Sequence, residues 1–582
     1  MRRAEQSEFT THDGSRLFYR YWPPLRETDV TRAILLFHRG HEHSGRLQHV
    51  VDELRLDDFA FFAWDARGHG RSPGERGDSP SFSVLIRDIE RFVRHVGESY
   101  GVTPENMVVI GQSVGAVLVA TWVHDYAPRL RGVVLTAPAF SVRLYVPLAR
   151  PGLGLLQRVF GNLFINSYVK AKFLTRDTAR IASYDSDPLI TRAISVRVLL
   201  RLLDAGERIV ADAQAIRVPL LLLISGKDWV VHRTPQEVFF ERLGSPLKER
   251  HLLPDFLHDT LGERDREIAL AHIRGFVGRL FAAPQAADSL LDADRRGHTH
   301  DEEVALGRPL PPLSAANLKY TATRLAMRTL GRLSGGIRTG LETGFDSGSS
   351  LDYVYRNQAE GRLLIGRLID RLYLDSIGWR GIRERRRHLA AALLHAARAL
   401  RAAGQRLRIA DIAAGHGRYL LEAVAELPER PESIVLRDLC EVNGERCRSL
   451  IGQLGLDEIA RFECGDAFDE AQLAALAPRP NLIVVSGLYE LFSENDRVSG
   501  SLRGVARAID RGGYLICTNQ PWHPQLELIA RTLTSHRDHQ PWIMRRRTQA
   551  ELDDLLRTAG FAKVEQWIDD WGIFTVSLAR RL

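Results

Sequence analysis

The stretch MVVIGQSVG, Met107 to Gly115, joins an apolar run that predicts a β-strand to a run, 116–124, that predicts a helix. A G-x-S-x-G sequence in this setting indicates a turn so tight that the serine takes strained backbone angles and projects its hydroxyl from the sheet. Small residues at 111 and 115 allow the strand and the helix to pass closely. The N–H of Val114 is then expected to bind a developing oxyanion. The stretch therefore predicts acyl-transfer chemistry at Ser113.

Length and composition set the class of protein. A chain of 582 residues is too long for one core, and its 45% hydrophobic and 26% charged residues are ordinary for a globular protein. We find no uninterrupted apolar run of the ~18–20 residues that cross a membrane. The opening MRRAEQ lacks the apolar core of a secretory signal, so we expect a cytoplasmic protein.

Charge and cysteine content limit which partners and cofactors are expected. The four cysteines show no C-x-x-C spacing, so neither zinc nor a disulfide framework is expected. The net charge of +7 comes from diffuse arginine, which is typical of a solvated surface, and nucleic acid is not expected as a partner. His298 and His300 beside Asp301 could bind a metal, but a polar linker is the preferred interpretation, and no metal site is predicted. The oligomeric state is left open.

The chain divides where its composition changes, between about residues 282 and 344. Pro309–Leu313, the polar run 292–303 and the Gly/Ser-rich 334–336 are typical of a linker. Short apolar runs alternate with amphipathic helices on both sides, which predicts parallel sheets with crossover helices. We therefore predict an α/β fold with two doubly wound domains, 1–283 and 345–582, and a linker over 284–344.

The predicted strands are the following. In the first domain they are Ala33–Phe37, Ala60–Trp64, Met107–Ile110, Gly132–Thr136, Leu220–Ile224 and Glu249–Leu253. In the second they are Arg408–Ile412, Ile434–Arg437, Ala460–Glu463, Leu482–Ser486 and Gly513–Thr518, followed by a β-hairpin over 562–579.

A serine nucleophile needs a histidine base and a carboxylate that orients it. Asp228 follows the strand-like LLLIS of 221–225, and His258 follows a second strand and loop, so both stand after strands in the order Ser, acid, His. The sequence predicts that Ser113, Asp228 and His258 are catalytic. A second match to the pattern, GRSPG at 70–74, is rejected for Ser72 because Pro73 has no N–H to offer an oxyanion.

Further motifs carry a family resemblance. HRGHEHSGR at 38–46, DARGHGRS at 65–72, SYDSDPL at 183–189 and GKD at 226–228, with the Ser113 turn, resemble the monoacylglycerol lipase branch of α/β-hydrolases, which includes lysophospholipases. The resemblance implies an ester hydrolase that acts on a monoacylglycerol or a lysophospholipid without a cofactor. It also implies an oxyanion hole formed by Gly40 and Val114, with Arg39 in place of the usual glycine.

The segment of about 140–205 interrupts the strand–helix pattern and predicts a helical cap over the active site. It carries the apolar LGLL of 153–156 and LFI of 163–165 near Lys170 and Lys172, which suits a lid in peripheral contact with the inner face of a membrane. A cap packed on its own domain fits equally well. An apolar cap favours lipid esters over peptides as substrates.

A second site is predicted from RIADIAAGHGRY, 408–419, which indicates a strand, a small-residue turn and a helix that let the backbone approach a nucleoside ligand. Leu420 in the last position of G-x-G-x-x-G argues against a dinucleotide. Asp438 ends the next strand, where a carboxylate can hold ribose hydroxyls. Asp466 follows the third, where it can accept from an adenine amino group.

Residues 351–582 thereby resemble class I S-adenosylmethionine-dependent methyltransferases, Rossmann-like domains that end in a β-hairpin. The resemblance implies S-adenosylmethionine as cofactor. Ala413 replaces the first glycine of the usual motif, which requires a negative φ at that residue. By this resemblance the residues that face the cofactor are Asp411, Ala413, Gly415, Gly417, Asp438 and Asp466, and those at the methyl acceptor are Ser486, Tyr489 and Glu490.

The sequence thus predicts a hydrolase fused to a methyltransferase of unknown acceptor. One alternative keeps a single active hydrolase with the second half as a cofactor-sensing or scaffold module. Another is an RNA methyltransferase with an accessory hydrolase. The basic runs at 383–387 and 545–547 could bind phosphate, although charge on a helix surface is preferred.

Overall fold

The computed structural model describes residues 1–26, 29–167, 169–284 and 289–582. The chain forms two compact units, Met1–Ala287 and Asp288–Leu582. Each has a mixed, mostly parallel sheet with helices on both faces, so the predicted α/β class is confirmed.

The sheet of the first unit has the strand order β1-β2-β4-β3-β5-β6-β9-β10. Its strands, with the short β7 and β8 that lie outside it, are β1 Glu5–Thr10, β2 Arg16–Trp22, β3 Ala33–Phe37, β4 Ala60–Trp64, β5 Met107–Gln112, β6 Gly132–Thr136, β7 Phe164–Asn166, β8 Ala193–Ser195, β9 Leu220–Ser225 and β10 Lys248–Leu253. Within this sheet β3, β4, β5, β6, β9 and β10 pair in parallel, and β1 and β2 add an antiparallel edge. Neither β1 nor β2 was predicted, and β1 is an exposed, polar edge strand without an apolar run.

The helices of the first unit cover both faces of this sheet. They are α1 Gln48–Glu53, α2 Phe82–Tyr100, α3 Val114–Tyr126, α4 Ala149–Phe160, α5 Thr178–Ser186, α6 Val196–Ala211, α7 Arg233–Arg242 and α8 Glu267–Ala282. Almost every residue of α3 is buried. Because a helix that is apolar all round must be covered on all sides, α3 forms the centre of the unit.

The cap lies between β6 and β9 and contains α4, α5 and α6. It also contains the antiparallel pair β7–β8, so it is not purely helical as predicted. It extends beyond the predicted end at residue 205, because α6 continues without a break to Ala211.

The sheet of the second unit has the order β13-β12-β11-β14-β15-β17-β16. Its strands are β11 Arg408–Ile412, β12 Ser433–Asp438, β13 Ala460–Cys464, β14 Leu482–Val485, β15 Tyr514–Asn519, β16 Phe561–Ile568 and β17 Thr575–Arg581. The first five strands pair in parallel, and β17 runs antiparallel to both β15 and β16. The predicted terminal β-hairpin is therefore confirmed.

Helices flank this sheet, and several precede it in the chain. They are α9 His298–Gly307, α10 Ala315–Arg328, α11 Gly335–Thr343, α12 Gly348–Arg356, α13 Leu363–Leu374, α14 Ile377–Ala402, α15 Arg418–Ala425, α16 Glu441–Gln453, α17 Glu470–Ala474, α18 Asn495–Ala508, α19 Leu526–Thr532 and α20 Gln549–Thr558.

The structure differs from the predicted linker over 284–344, where it has α9, α10 and α11 in the second unit. The proline-, glycine- and serine-rich stretches lie at the helix ends. Ser314 and Ser334 are N-caps whose side chains accept from the N–H groups of Asn317 and Ile337. The composition marked these helix boundaries, and the sequence analysis interpreted them as a linker.

One buried carboxylate holds this helical layer together. Asp370 of α13 accepts hydrogen bonds from Ser334 Oγ at 2.6 Å, the N–H of Gly336 at 3.0 Å and the N–H of Glu360 at 2.8 Å. It also accepts from the hydroxyl of Tyr353. These bonds join α11, α12 and α13, because Ser334 and Gly336 lie at the start of α11, Tyr353 lies in α12 and Glu360 lies in the loop that leads into α13.

We expect Asp370→Ala to loosen this layer by about 3 kcal/mol, because it leaves buried donors without their charged acceptor. Hydrogen exchange should show this as faster exchange of the amides of α11, α12 and α13. The matched control is Asp375→Asn at an exposed site on the next turn, which should change exchange little. Equal protection in both variants would contradict the anchoring role.

Candidate functional site

The turn at Ser113 is built by close passage of α3 over the sheet. Ser113 has φ 55° and ψ −113°, a strained conformation for a residue with a side chain. A Cβ on Gly115 would lie 2.4 Å from the carbonyl oxygen of His38, and one on Gly111 would lie 2.8 Å from the Cα of Ala116. Because neither position has room for a side chain, both glycines of the motif are required by packing.

The structure brings the three predicted catalytic residues into one hydrogen-bonded chain. His258 Nε2 lies 2.7 Å from Ser113 Oγ, and His258 Nδ1 lies 2.8 Å from Asp228 Oδ2. The imidazole Nδ1–H donates to the carboxylate, which leaves Nε2 to accept from the hydroxyl. This arrangement can remove a proton from Ser113 as its oxygen attacks a carbonyl carbon.

The carboxylate of Asp228 is held in its ionised form. Its Oδ1 accepts from the N–H groups of Val230 and Val231 at 2.7 and 3.0 Å. Burial by itself would raise the pKa of Asp228, but the adjacent His258 and these two N–H groups lower it below its usual value. The residue therefore stays charged and fixes the orientation of the imidazole.

The acids on either side of His258, and the serine of the second G-x-S-x-G match, have partners outside this hydrogen-bonded chain. Asp259 accepts from Gln112 Nε2 at 2.9 Å and pairs with Arg180, and Asp255 pairs with Lys227. Ser72 is buried, donates to a backbone carbonyl at 2.6 Å and accepts from a backbone N–H at 2.9 Å. Ser72 therefore supports the fold, as its rejection as a nucleophile implies.

The two predicted oxyanion donors lie side by side. Val114 is the first residue of α3, where N–H groups are not used within the helix. A Cβ on Gly40 would lie 3.0 Å from Val114 Cγ2, so the two segments are in contact. The side chain of Arg39 takes no part in this contact: its guanidinium donates to Glu42 at 2.8 Å and lies 3.7 Å from Asp259.

Ser113 and His258 open into a cavity whose walls are mostly apolar. The cap supplies a large share of the lining, and the core supplies the remainder. The apolar lining residues include Leu118, Val142, Leu144, Ile165, Val169, Leu174, Ile194, Val198, Leu199, Leu202 and Val230.

In the second unit, the loop after β11 has a left-handed backbone at three of its predicted ligand-facing residues. Ala413, Gly415 and Gly417 have φ values of 57°, 57° and 70°. The expected negative φ at Ala413 is therefore wrong, and the alanine side chain costs the loop about 1–2 kcal/mol. A Cβ on Gly417 would lie 2.4 Å from Leu436 Cδ2, so this glycine allows close helix–sheet packing.

Asp438 ties the loop to the next strand. Its Oδ2 accepts from the N–H of Gly415 at 2.9 Å, and its Oδ1 accepts from Asn443 Nδ2 at 3.0 Å and from the N–H of Cys440 at 2.9 Å. Asp466 lies at the corresponding end of β13, where its Oδ1 accepts from the N–H of Phe468 at 2.8 Å. Both carboxylates therefore stand at the carboxyl ends of their strands, as the sequence predicts.

Asp411 is fully buried at the end of β11, where its Oδ1 accepts from the hydroxyl of Tyr419. Its Oδ2 has no hydrogen-bond partner among the described residues. Burial raises the pKa of Asp411 to about 8, partly offset by Tyr419 and reinforced by the charge of Asp438. This carboxyl is thus protonated at neutral pH and leaves one oxygen available to a ligand.

The predicted acceptor residues separate in the structure. Glu490 Oε1 accepts from Thr518 Oγ1 at 2.6 Å, while Glu490 Oε2 and the hydroxyl of Ser486 are buried without a partner among the described residues. Tyr489 does not join them, contrary to the prediction. Its hydroxyl lies 3.0 Å from that of Ser501 inside the core, because the 3-10 turn 489–491 directs successive side chains apart.

The sequence analysis missed Arg385, a buried residue of α14. Its guanidinium lies 3.7 Å from Glu490 and 3.5 Å from the hydroxyl of Tyr355, and its Nε has no partner among the described residues. The basic run around it was interpreted as a helix surface. Leu389 and Leu393 lie four and eight positions after Arg385 and are buried. This helical spacing could have placed Arg385 on the inner face of α14.

The other basic run, Arg545–Arg547, is also buried, so neither the phosphate site nor the helix surface that we considered is correct. Arg545 donates to Glu551 at 2.6 Å. Arg547 donates to the carbonyl oxygens of Tyr489 at 2.8 Å and Phe492 at 3.0 Å. These arginines hold the loop that follows β14.

The raised pKa of Asp411 predicts a pH dependence of stability. The unfolded chain ionises this carboxyl near its usual value of 3.8, whereas the fold keeps it protonated up to about pH 8. The contribution of the protonated Asp411 to the free energy of unfolding is therefore complete below about pH 4 and is lost as the pH rises towards about 8. We expect Asp411→Asn to remove this loss. At pH 8 the second unit should therefore be more stable in the variant than in the wild type.

Calorimetric unfolding of the full chain without added ligand, at a series of pH values, measures this difference. The exposed Asp457→Asn serves as the matched control and should follow the wild type. Parallel stability profiles for wild type and Asp411→Asn would contradict a buried, protonated Asp411.

Comparisons with known proteins agree with both units. Residues 273–581 match the family model described as “Putative methyltransferase”, and residues 28–265 match the one described as “Serine aminopeptidase, S33”. The chain is 55% identical to the uncharacterized protein YnbC of Escherichia coli over 98% of both chains.

Two relatives match the first unit alone. Human monoglyceride lipase is 32% identical over 37% of this chain and 71% of its own length. Monoacylglycerol lipase of Mycolicibacterium smegmatis is 26% identical over 47% of this chain and 97% of its own. The chain therefore belongs to the family described as “Putative methyltransferase”, is similar to YnbC over 98% of its length, and carries a monoglyceride lipase-like α/β-hydrolase as its first unit.

Proposed function

We propose that the first unit is a serine ester hydrolase acting on a monoacylglycerol, and that the second is an S-adenosylmethionine-dependent methyltransferase. The observation that carries the first assignment is the Asp228–His258–Ser113 chain of hydrogen bonds at the wall of an apolar cavity. The second assignment rests on the family match and on the polar groups at the strand ends.

Hydrolysis proceeds in two steps through a covalent intermediate. Ser113 Oγ attacks the ester carbonyl while His258 Nε2 takes its proton, and the N–H groups of Gly40 and Val114 bind the oxyanion. His258 then protonates the departing alcohol, which leaves the acyl group on Ser113. Water, deprotonated by His258, attacks the acyl-enzyme and releases the fatty acid.

The cavity supports a lipid substrate. An acyl chain of a single-chain lipid needs an apolar slot beside the nucleophile, and the cap and core line this cavity with leucine, isoleucine and valine. The cap also exposes Leu155, Val159 and Phe160 of α4. This exposed face favours a cap in peripheral contact with lipid over a cap fully packed on its own unit.

The polar lining favours a neutral head group over a phosphodiester. Burial lowers the pKa of His41 to about 4 and that of His69 to about 3, so both imidazoles are uncharged at neutral pH. Arg39 lines the cavity, but Glu42 and Asp259 neutralise its charge. A glycerol head group needs no counter-ion here, whereas the phosphate of a lysophospholipid does.

The donor set of the second unit fits S-adenosylmethionine. Asp438 would hold the ribose and Asp466 the adenine amino group, and Asp411 Oδ2 and His416 Nε2 are buried atoms without partners among the described residues. Of the atoms that the structure describes, only the Cα of Gly348, at 3.8 Å, lies within 4 Å of a Cβ built on Gly415, so a ligand can approach that backbone. When bound, this cofactor supplies a methyl group on a sulfonium.

The residues of the chain then orient the acceptor. Glu490 Oε2 and Ser486 Oγ near the end of β14, and Arg385 Nε of the adjacent α14, are buried and have no partner within the described part of the chain. They can position a polar acceptor and hold its proton. Thr518 keeps Glu490 in place by donating to its Oε1.

We expect a fluorophosphonate probe to label wild-type protein and to leave Ser113→Ala unlabelled and inactive on monoacylglycerol esters. Asp228→Asn should lower kcat by about 10⁴, because the imidazole loses its orientation and tautomer. Mass spectrometry of the labelled peptide and ester hydrolysis assays measure both effects.

Ser72→Ala is the matched control and should remain labelled at Ser113. Labelling that survives Ser113→Ala would contradict the proposed nucleophile.

Lysophosphatidylglycerol should be hydrolysed roughly tenfold more slowly than monoacylglycerol, because its phosphate enters the cavity without a counter-charge. Faster hydrolysis of the phospholipid would contradict the neutral head group.

For the second unit, Asp438→Ala should weaken S-adenosylmethionine binding by about tenfold or more, since it removes a ribose acceptor and the tie to Gly415. Isothermal titration calorimetry on the full chain measures this affinity. Glu458→Gln, at an exposed acid, is the control and should bind as the wild type does. Wild-type protein that binds no S-adenosylmethionine would contradict the assignment of this unit.

A further inference from the structure

Helix α13 turns a row of large apolar side chains outwards. Leu364, Leu368 and Leu372 are 85%, 60% and 66% exposed. Their spacing of four residues puts them on one face of the helix, and Ile365 lies beside them. A surface helix normally places this face against the core.

The inner face of α13 explains why the helix cannot rotate. Asp370 holds its hydrogen bonds to Ser334 and Gly336 on that side. A Cβ on Gly366 would lie 2.6 Å from the carbonyl oxygen of Leu333, so the helix packs there without a side chain between. Turning the leucines inwards would break these bonds and this contact. The apolar face is therefore fixed outwards by the fold.

The neighbouring segments carry further exposed leucines. Helix α10 and α13 both pack against the 3-10 turn Leu330–Leu333. Leu318 and Leu325 of α10 and Leu330 of the turn are 58%, 63% and 62% exposed.

The exposed charges of α10, the 3-10 turn and α13 are positive. Residues 315–333 contain no Asp or Glu. The single acid within α13, Asp370, is buried, and Arg371 is paired with Asp375. The exposed cations that remain are Lys319, Arg324, Arg328, Arg332, Arg362 and Arg367. We call these cations, with the exposed apolar residues of α10, the turn and α13, the basic apolar face.

We propose that the basic apolar face docks the second unit on an anionic lipid bilayer. Apolar side chains that enter the interface and cations that attract anionic head groups are the two signals that together hold a protein at a membrane surface. None of the described helices has the length and apolarity of a membrane span. Complementary charge identifies anionic lipid as the occupant.

Flotation of the full chain with vesicles tests this. Wild type should bind vesicles of equal parts phosphatidylcholine and phosphatidylglycerol roughly tenfold more tightly than vesicles of phosphatidylcholine alone, and salt should weaken the binding. The combined variant Leu364→Gln, Leu368→Gln and Leu372→Gln should lose about tenfold or more in partitioning. The variant Arg324→Gln, Arg328→Gln and Arg332→Gln should lose much of the preference for phosphatidylglycerol.

The matched control is Leu252→Gln with Ile268→Gln, two exposed apolar residues of the first unit outside the cap, which should bind as the wild type does. Circular dichroism verifies that each variant is folded. Unchanged partitioning of the triple leucine variant would overturn the proposal. So would self-association of the wild type that the leucine substitutions abolish, because the face would then be occupied by a second copy of the chain.

Discussion

The close passage of α3 across the ends of β3 and β5 is the constraint on which the first site depends. Gly115 lies against the backbone of β3 and of the residue that follows it, with no room for a Cβ, so the turn before it must be tight. The tight turn puts Ser113 in strained angles and Val114 at the start of the helix. The same approach brings Gly40 against Val114, so one packing contact positions both the nucleophile and the oxyanion donors.

Several buried polar atoms of the second unit that have no partner among the described residues lie at one edge of its sheet. Asp411, Ser486 and Asn519 end or directly follow the parallel strands β11, β14 and β15, and parallel strands end at the same edge. A buried polar group without a partner costs about 1–3 kcal/mol, and a folded protein carries few of them. A ligand bound at this edge would complete the hydrogen bonds of these three groups.

The proposed lipid substrate of the first unit and the proposed lipid surface for the second rest on different chemistry. In the first, an apolar cavity and a neutralised Arg39 suit the acyl chain and head group of a single lipid molecule. In the second, the basic apolar face is fixed outwards by Asp370 and suits the surface of a bilayer. The two inferences rest on separate residues, so each stands without the other.

Local patterns in the sequence were sufficient for the parallel strands of both sheets and for several site residues. Apolar runs such as those at 107–112 and 220–225 report the period of a buried strand directly. Ser113, Asp228 and His258 each follow such a run, and they meet because parallel strands deliver their loops to the same edge. The positions of Asp438 and Asp466 follow from the same rule.

The sequence by itself determined the apolar parallel strands, the serine in the tight turn and the acids that end the strands, because these depend on near neighbours. Tertiary structure alone decided the partner of Arg385, the burial of Arg545–Arg547, the inward hydroxyl of Tyr489 and the helices in place of a linker. A long side chain can face solvent or the core from the same local sequence. Its choice is made by partners such as Glu490, Glu551 and Ser501, which lie tens of residues away or on another element.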